Sequence, residues 1–127
     1  MNLNRSGEDY LKAILILQKK NGEVHSSEVA SCLNVTRPST SKAVRLLKDG
    51  GFLTMDKSKK ISLTDLGRQV AEEILEKHCV IRDVLILFGI EPETAEQDAC
   101  RIEHDVSRQT FDRMKAFRER QGKEEPQ

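Results

Sequence analysis

The chain has 127 residues, 37% hydrophobic and 33% charged, with 21 basic residues against 21 acidic ones. That size fits one domain, or a small domain with a helical extension. No apolar run reaches the ~18 residues a membrane span needs, and the first residues form no signal peptide, so the expectation is a cytoplasmic protein with no membrane partner.

The zero net charge conceals a split. Residues 1–60 carry 11 Lys/Arg and 6 Asp/Glu, whereas residues 61–127 carry 10 and 15. A basic first half suits a polyanion, and an acidic second half suits cation binding or self-association. Cys32, Cys79 and Cys100 cannot all pair within one chain and form no CxxC, so reduced thiols are expected. With no Trp and five Phe/Tyr, the core must rest on Leu, Ile, Val and Ala, which favours helices packed on helices.

Residues 6–20 read as a first helix, with Ser6 as cap and Asp9 three positions on in the manner of a capping box. Tyr10, Leu11, Ile14, Leu15 and Leu17 form its apolar face, and Asn21-Gly22 stops it. Ser26 or Ser27 caps a second helix whose Val29, Ala30 and Leu33 face the core, and Asn34 breaks it. Thr36-Arg37-Pro38 starts a third, with Pro38 in the first turn where its missing N–H costs nothing. Ala43, Val44, Leu46 and Leu47 are its expected buried stripe, and Gly50-Gly51 ends it. Two short helices joined by a tight turn are the helix-turn-helix pattern.

Phe52–Met55 and Ile61–Leu63 read as short strands around the polar turn Asp56-Lys57-Ser58-Lys59-Lys60, a hairpin wing. Thr64 caps a long fourth helix, from about Asp65 to Leu87, with Leu66, Val70, Ile74, Ile81 and Val84 on its apolar side. Pro92 opens a fifth helix reaching about Asp105. Ser107 caps a sixth that ends near Arg120, and the polar tail Gln121–Gln127 is expected to fray. The fold expected is mainly α: a winged helix-turn-helix over residues 1–63, a helical region over 64–120, and the tail.

In a helix-turn-helix the first residues of the second helix meet base edges. Here these are Thr36, Arg37, Pro38, Ser39, Thr40, Ser41 and Lys42. Arg45 and Lys48 lie further along and suit phosphates, and Lys57, Lys59 and Lys60 on the wing can reach phosphates or the minor groove. Double-stranded DNA is the expected partner.

A second constellation lies downstream. Cys100, Glu103 and His104 fall at i, i+3 and i+4, so a helix there projects all three from one face. Thiolate, carboxylate and imidazole together suit a first-row transition metal. Asp9 and His78 are further candidate ligands, each with a structural alternative: Asp9 as a complement to the helix dipole, His78 as a lone helical histidine.

These stretches resemble the DtxR/MntR family of iron- and manganese-dependent transcriptional repressors, over residues 4 to about 118. The resemblance is carried by Glu8-Asp9-Tyr10-Leu11-Lys12-Ala13-Ile14, by Val29 to Leu47, by Leu63-Thr64-Asp65-Leu66-Gly67, by His78, and above all by Cys100 to Ser107. It implies a homodimer whose metal ties the first helix to the dimerisation helices and so controls operator binding. Asp9 stands where the manganese branch has aspartate and the iron branch methionine. Cys100 stands where the iron branch has cysteine and the manganese branch glutamate, while Glu103 and His104 match both. His78 matches a ligand of a neighbouring metal position. Lys12 and Arg82 place cations where the two branches have carboxylate ligands, and Glu96 is a candidate to compensate beside His78. The implied metal is Fe²⁺, then Mn²⁺, with Co²⁺, Ni²⁺ or Zn²⁺ able to bind in vitro. The chain resembles a short form without the SH3-like domain of longer members. The implied function is repression of metal-uptake genes; a winged-helix regulator sensing a non-metal small molecule is the alternative. No HExxH, nucleophile elbow or phosphate loop is present, which argues against an enzyme.

Overall fold

A computed structural model describes residues 3–124, and among them the elements run α1 (Arg5–Asn21), α2 (Ser26–Leu33), α3 (Arg37–Asp49), β1 (Leu53–Met55), β2 (Ile61–Leu63), α4 (Asp65–Leu87), α5 (Pro92–Ile102) and α6 (Arg108–Glu124). They form two compact units, the first ending at Glu73 and the second beginning at Ile74, with the change falling inside α4.

The first unit is a winged helix-turn-helix. Leu11, Ile14, Leu15, Val24 and Val29 have no solvent exposure, and Val44, Leu47, Phe52, Leu53 and Ile61 complete the core. The caps differ from expectation in two places. Asn4, not Ser6, caps α1: its extended backbone lets Oδ1 accept from the Gly7 N–H at 2.7 Å. His25, not Ser26 or Ser27, is the N-cap of α2, and Glu28 Oε1 accepts from its backbone N–H at 2.9 Å. Asn34 takes the left-handed conformation (φ 56°) that ends α2. Thr36 Oγ1 accepts from Ser39 N–H at 3.2 Å and starts α3, with Pro38 in the first turn. The inward stripe of α3 is Thr40, Val44 and Leu47 at i, i+4 and i+7, so Leu46, expected inside, is 59% exposed.

The wing pairs antiparallel in the register Leu53↔Leu63, Thr54↔Ser62 and Met55↔Ile61. It is held from the other side as well. His25 bridges Lys60, and Ile61 N–H donates to Val24 O at 2.8 Å. Thr64 then joins wing to α4: its hydroxyl donates to Gly51 O at 2.7 Å and accepts from Gly67 N–H at 3.1 Å. Gly67 lies so close to the Phe52 carbonyl that a Cβ there would sit 1.8 Å from the oxygen.

In the second unit, Val80 and Val84 of α4 pack with Phe111 of α6, and Val106, Met114 and Phe117 close around them. Lys115 Nζ donates to Glu76 at 2.8 Å and Arg118 donates to Asp83 at 3.0 Å, tying one turn of α6 to α4. Ser107 caps α6 as expected, accepting from Thr110 N–H at 3.1 Å. The helix continues past the expected end at Arg120 to Glu124; residues 125–127 of the expected frayed tail lie outside the described residues. The expected fifth helix is also corrected. It stops at Ile102, and Glu103, His104 and Asp105 form a turn. That turn brings Val106 onto the Val80–Val84–Phe111 cluster. Among the described residues no helix is long and apolar enough to cross a membrane.

Candidate metal centre and nucleic-acid interface

The second unit brings His78, Cys100 and Glu103 together. One ligand atom from each lies within 4.8 Å of the others. His78 projects from α4 and is 5% exposed, Cys100 lies on the exposed side of α5, and Glu103 opens the turn after α5 with no exposure at all. His78 Nδ1 is 2.8 Å from Glu103 Oε1 and 3.7 Å from Cys100 Sγ. The other Glu103 oxygen, Oε2, is 3.4 Å from His104 Nε2, and the His104 side chain is 3% exposed. One buried carboxylate therefore presents an oxygen to each of two imidazoles. A carboxylate without such partners would be costly to bury. Of the three downstream residues, Cys100 and Glu103 meet at His78 and His104 meets Glu103 from its other oxygen, so they act from a helix end and a turn rather than from one helical face.

Glu96 and Arg82 lie on the far side of the His78 ring. His78 Nε2 is 2.6 Å from Glu96 Oε1, and Arg82 is 3.6 Å from the other Glu96 oxygen. Arg82 also donates through Nε and a terminal nitrogen to Asp83 Oδ1 at 3.2 and 3.1 Å. Burial pulls the Arg82 guanidinium down, but the hydrogen bond and charge of Asp83, with Cys79 and Glu96 nearby, outweigh it and leave its pKa above the ordinary value. Arg82 is thus a permanent cation beside this site. Asp9 lies in α1, in the first unit, with Lys12 one turn on and largely buried.

The donor set fits a divalent first-row metal. It offers a thiol, an imidazole and a carboxylate, mixed in hardness, with the acid inside and the thiol toward solvent. His78, Cys100 and Glu103 are the side chains that would hold it in this unit, with His104 on the second Glu103 oxygen.

The first unit carries the candidate nucleic-acid face. Thr36, Arg37, Pro38, Ser39, Ser41, Lys42 and Arg45 are all exposed. Thr40 is a correction: it has no exposure, and its hydroxyl donates inward to Thr36 O at 3.1 Å, so it belongs to the core side of α3. Lys57 and Lys59 are exposed on the wing, whereas Lys60 is half-buried, 3.8 Å from Glu23. Between α3 and the wing lies a concavity of about 570 Å³, with Arg37, Arg45 and Lys48 on one wall and Lys59 on the other. Ser26 and Ser27 open into it too. Neither serine caps α2, and the sequence signal for this is Glu28, three residues after His25, which marks His25 as the cap.

A winged helix-turn-helix followed by a helical unit with clustered metal-capable side chains is the layout of a metal-responsive transcriptional regulator. Residues 2–61 match the family model for the iron dependent repressor N-terminal DNA binding domain, and residues 64–123 match that for the iron dependent repressor metal binding and dimerisation domain. The chain is 33% identical over 115 residues to the transcriptional regulator MntR of Salmonella typhimurium, covering 91% of this chain and 73% of that one. It is 32% identical over 120 residues to an uncharacterised helix-turn-helix regulator of Methanocaldococcus jannaschii, covering 93% and 96%. A manganese-dependent transcriptional repressor solved in complex with manganese superposes with a TM-score of 0.81 at 26% identity, covering 89% of this chain and 52% of that one. The chain thus spans about half the length of that solved relative. It belongs to the iron-dependent repressor family of metal-dependent transcriptional regulators.

Proposed function

We propose that this protein is a homodimeric, metal-activated repressor that works in the cytoplasm on the operators of metal-uptake genes, with Fe²⁺ or Mn²⁺ as its signal. The observation that carries the reading is Glu103: a fully buried carboxylate with one oxygen toward His78 and the other toward His104. A divalent cation bound there would balance the charge of the buried carboxylate. Asp9 is the ligand proposed from the first helix, and through it metal would order the DNA-binding unit. Metal and DNA would then strengthen each other's binding by linkage. Arg37, Ser39, Ser41 and Lys42 are proposed to face the major groove, with Arg45, Lys48, Lys57 and Lys59 on phosphates.

Self-association is supported by apolar side chains left in solvent at the end of α4. Phe88 is 66% exposed, Leu87 49%, and Ile86 and Ile90 more than a third. A row of that kind marks a protein contact surface. The test is capture of genomic DNA fragments by the full chain with Mn²⁺, with Fe²⁺ under anaerobic conditions, and without metal. Enrichment of discrete fragments in the metal arms alone is expected; equal recovery in all three arms overturns the reading.

A further inference from the structure

Of the carboxylates around His78, Glu96 is the one whose part in the metal centre is not given by convergence. His78 offers its two ring nitrogens to two different acids. Nδ1 faces Glu103 Oε1 at 2.8 Å and Cys100 Sγ at 3.7 Å. Nε2 faces Glu96 Oε1 at 2.6 Å. The converging trio is His78, Cys100 and Glu103, without Glu96. The lone pairs of an imidazole point away from each other. A group in line with Nε2 therefore cannot share the coordination sphere of a metal held at Nδ1.

We propose that Glu96 is not a ligand but a positioning residue, and that Arg82 fixes it in that role. This rests on the metal-centre reading above. A carboxylate oxygen accepts and cannot donate, so Nε2 keeps its proton for Glu96, and Nδ1 is the nitrogen turned to the metal. A ligating histidine commonly donates its other N–H to a carboxylate, which fixes the ring and its tautomer. The Glu96 side chain is 51% exposed and would otherwise swing freely. Arg82 prevents this, lying 3.6 Å from the second Glu96 oxygen while Asp83 grips its own guanidinium. Asp83 is gripped in turn by Arg118 of α6 at 3.0 Å. The relay runs Arg118, Asp83, Arg82, Glu96, His78. It also explains how a cation is tolerated beside a metal site: its charge is spent on two carboxylates that bind no metal.

The test uses the full chain, ¹⁵N-labelled and loaded with ¹¹³Cd²⁺, a spin-active ion that accepts nitrogen, sulfur and oxygen donors. Long-range nitrogen–proton spectra should show cadmium coupling to Nδ1 of His78 and a proton retained on Nε2; coupling to Nε2 overturns the proposal. Affinity for Mn²⁺ is measured in parallel on Glu96→Gln, Glu96→Ala and Arg82→Met proteins, with circular dichroism of each metal-free form. Glu96→Gln keeps an oxygen that accepts from Nε2–H and should stay close to the parent. Glu96→Ala should lose roughly 10–100-fold, the usual effect of losing an outer-shell partner, and Arg82→Met a smaller share of it. Equal loss in Glu96→Gln and Glu96→Ala identifies Glu96 as a ligand and overturns the proposal. A parent protein that takes up neither ion overturns the metal-centre reading itself, and the proposal with it.

Discussion

His78 and Glu103 meet 2.8 Å apart across 25 residues of chain, one from α4 and one from the turn after α5, and the acid has no contact with solvent. Replacing Glu103 by Gln preserves shape and removes charge. Altering one member of a buried charged cluster is destabilising, so the metal-free Glu103→Gln protein should itself melt below the parent. A second difference should emerge on adding metal. Parent protein gains stability with metal concentration by mass action, whereas Glu103→Gln should gain almost none. Thermal melts with and without Mn²⁺ read both halves. An equal metal-induced rise in the two proteins would remove Glu103 from the ligand set.

Gly67 gives the sharpest packing prediction. A Cβ at that position would stand 1.8 Å from the carbonyl oxygen of Phe52, and a backbone atom cannot swing aside as a side-chain tip can. The same carbonyl accepts from Thr64 N–H at 3.1 Å, so it is held in place. Gly67→Ala must push α4 away from the wing. Overpacking of this kind costs about 1–3 kcal/mol and more where nothing can yield. Denaturant unfolding should show a loss at or above the top of that range, although alanine is the better helix former.

Gly67 also shows where the sequence stopped being informative. The helix-turn-helix, the wing, α4 and α6 announce themselves through local signals: Thr36 with Pro38, the lysine-rich turn, Thr64 and Ser107. Asn4 and His25 are the caps although Ser6, Ser26 and Ser27 stand within two residues of them; asparagine caps as well as serine does, but histidine is not among the usual capping residues. The early end of α5 carries no local stop signal; it answers to Val106, which packs on α4 and α6. For the metal centre, spacing identified Cys100, Glu103 and His104 as a group with His78 as a further candidate, and family resemblance matched His78 to a ligand position. What spacing could not convey was which ring nitrogen faces which acid, or that Glu103 is sealed from water. Those follow from packing between elements distant in sequence, as does the approach of Gly67 to Phe52.

The wing's shape depends on Asp56. Its Oδ1 accepts from Ser58 N–H at 2.8 Å and Lys60 N–H at 2.9 Å, and between those donors Lys59 adopts a positive φ of 65°. A lysine in that region is strained, and the aspartate bonds offset the strain. Asp56→Ala should loosen the turn and reduce affinity for duplex DNA by a few-fold, while Mn²⁺ affinity in the absence of DNA stays unchanged. Asp56→Asn keeps an acceptor oxygen and should largely restore binding. Fluorescence anisotropy on a mixed-sequence duplex measures the first effect and metal titration the second. If Asp56→Ala binds DNA as the parent does, the wing is not a DNA contact.

The final prediction separates Thr40 from its neighbours on α3. Sequence position places Thr40 and Ser41 together at the start of a recognition helix. Their environments are opposite: Thr40 is fully buried with its hydroxyl on Thr36 O, and Ser41 opens into the concavity between α3 and the wing. Thr40→Val keeps the shape and gives up one hydrogen bond, so it should cost about 1 kcal/mol of stability. DNA binding should not change. Arg45→Ala should behave in the reverse way. Arg45 is exposed on the wall of the same concavity, so its loss should leave the melting temperature near that of the parent. Removing one phosphate contact lowers the slope of log K against log salt by about 1. Affinity across a salt series, measured beside thermal unfolding, therefore sorts the two residues. A shallower salt slope for Thr40→Val would return Thr40 to the DNA face, and an unchanged slope for Arg45→Ala would take Arg45 off it.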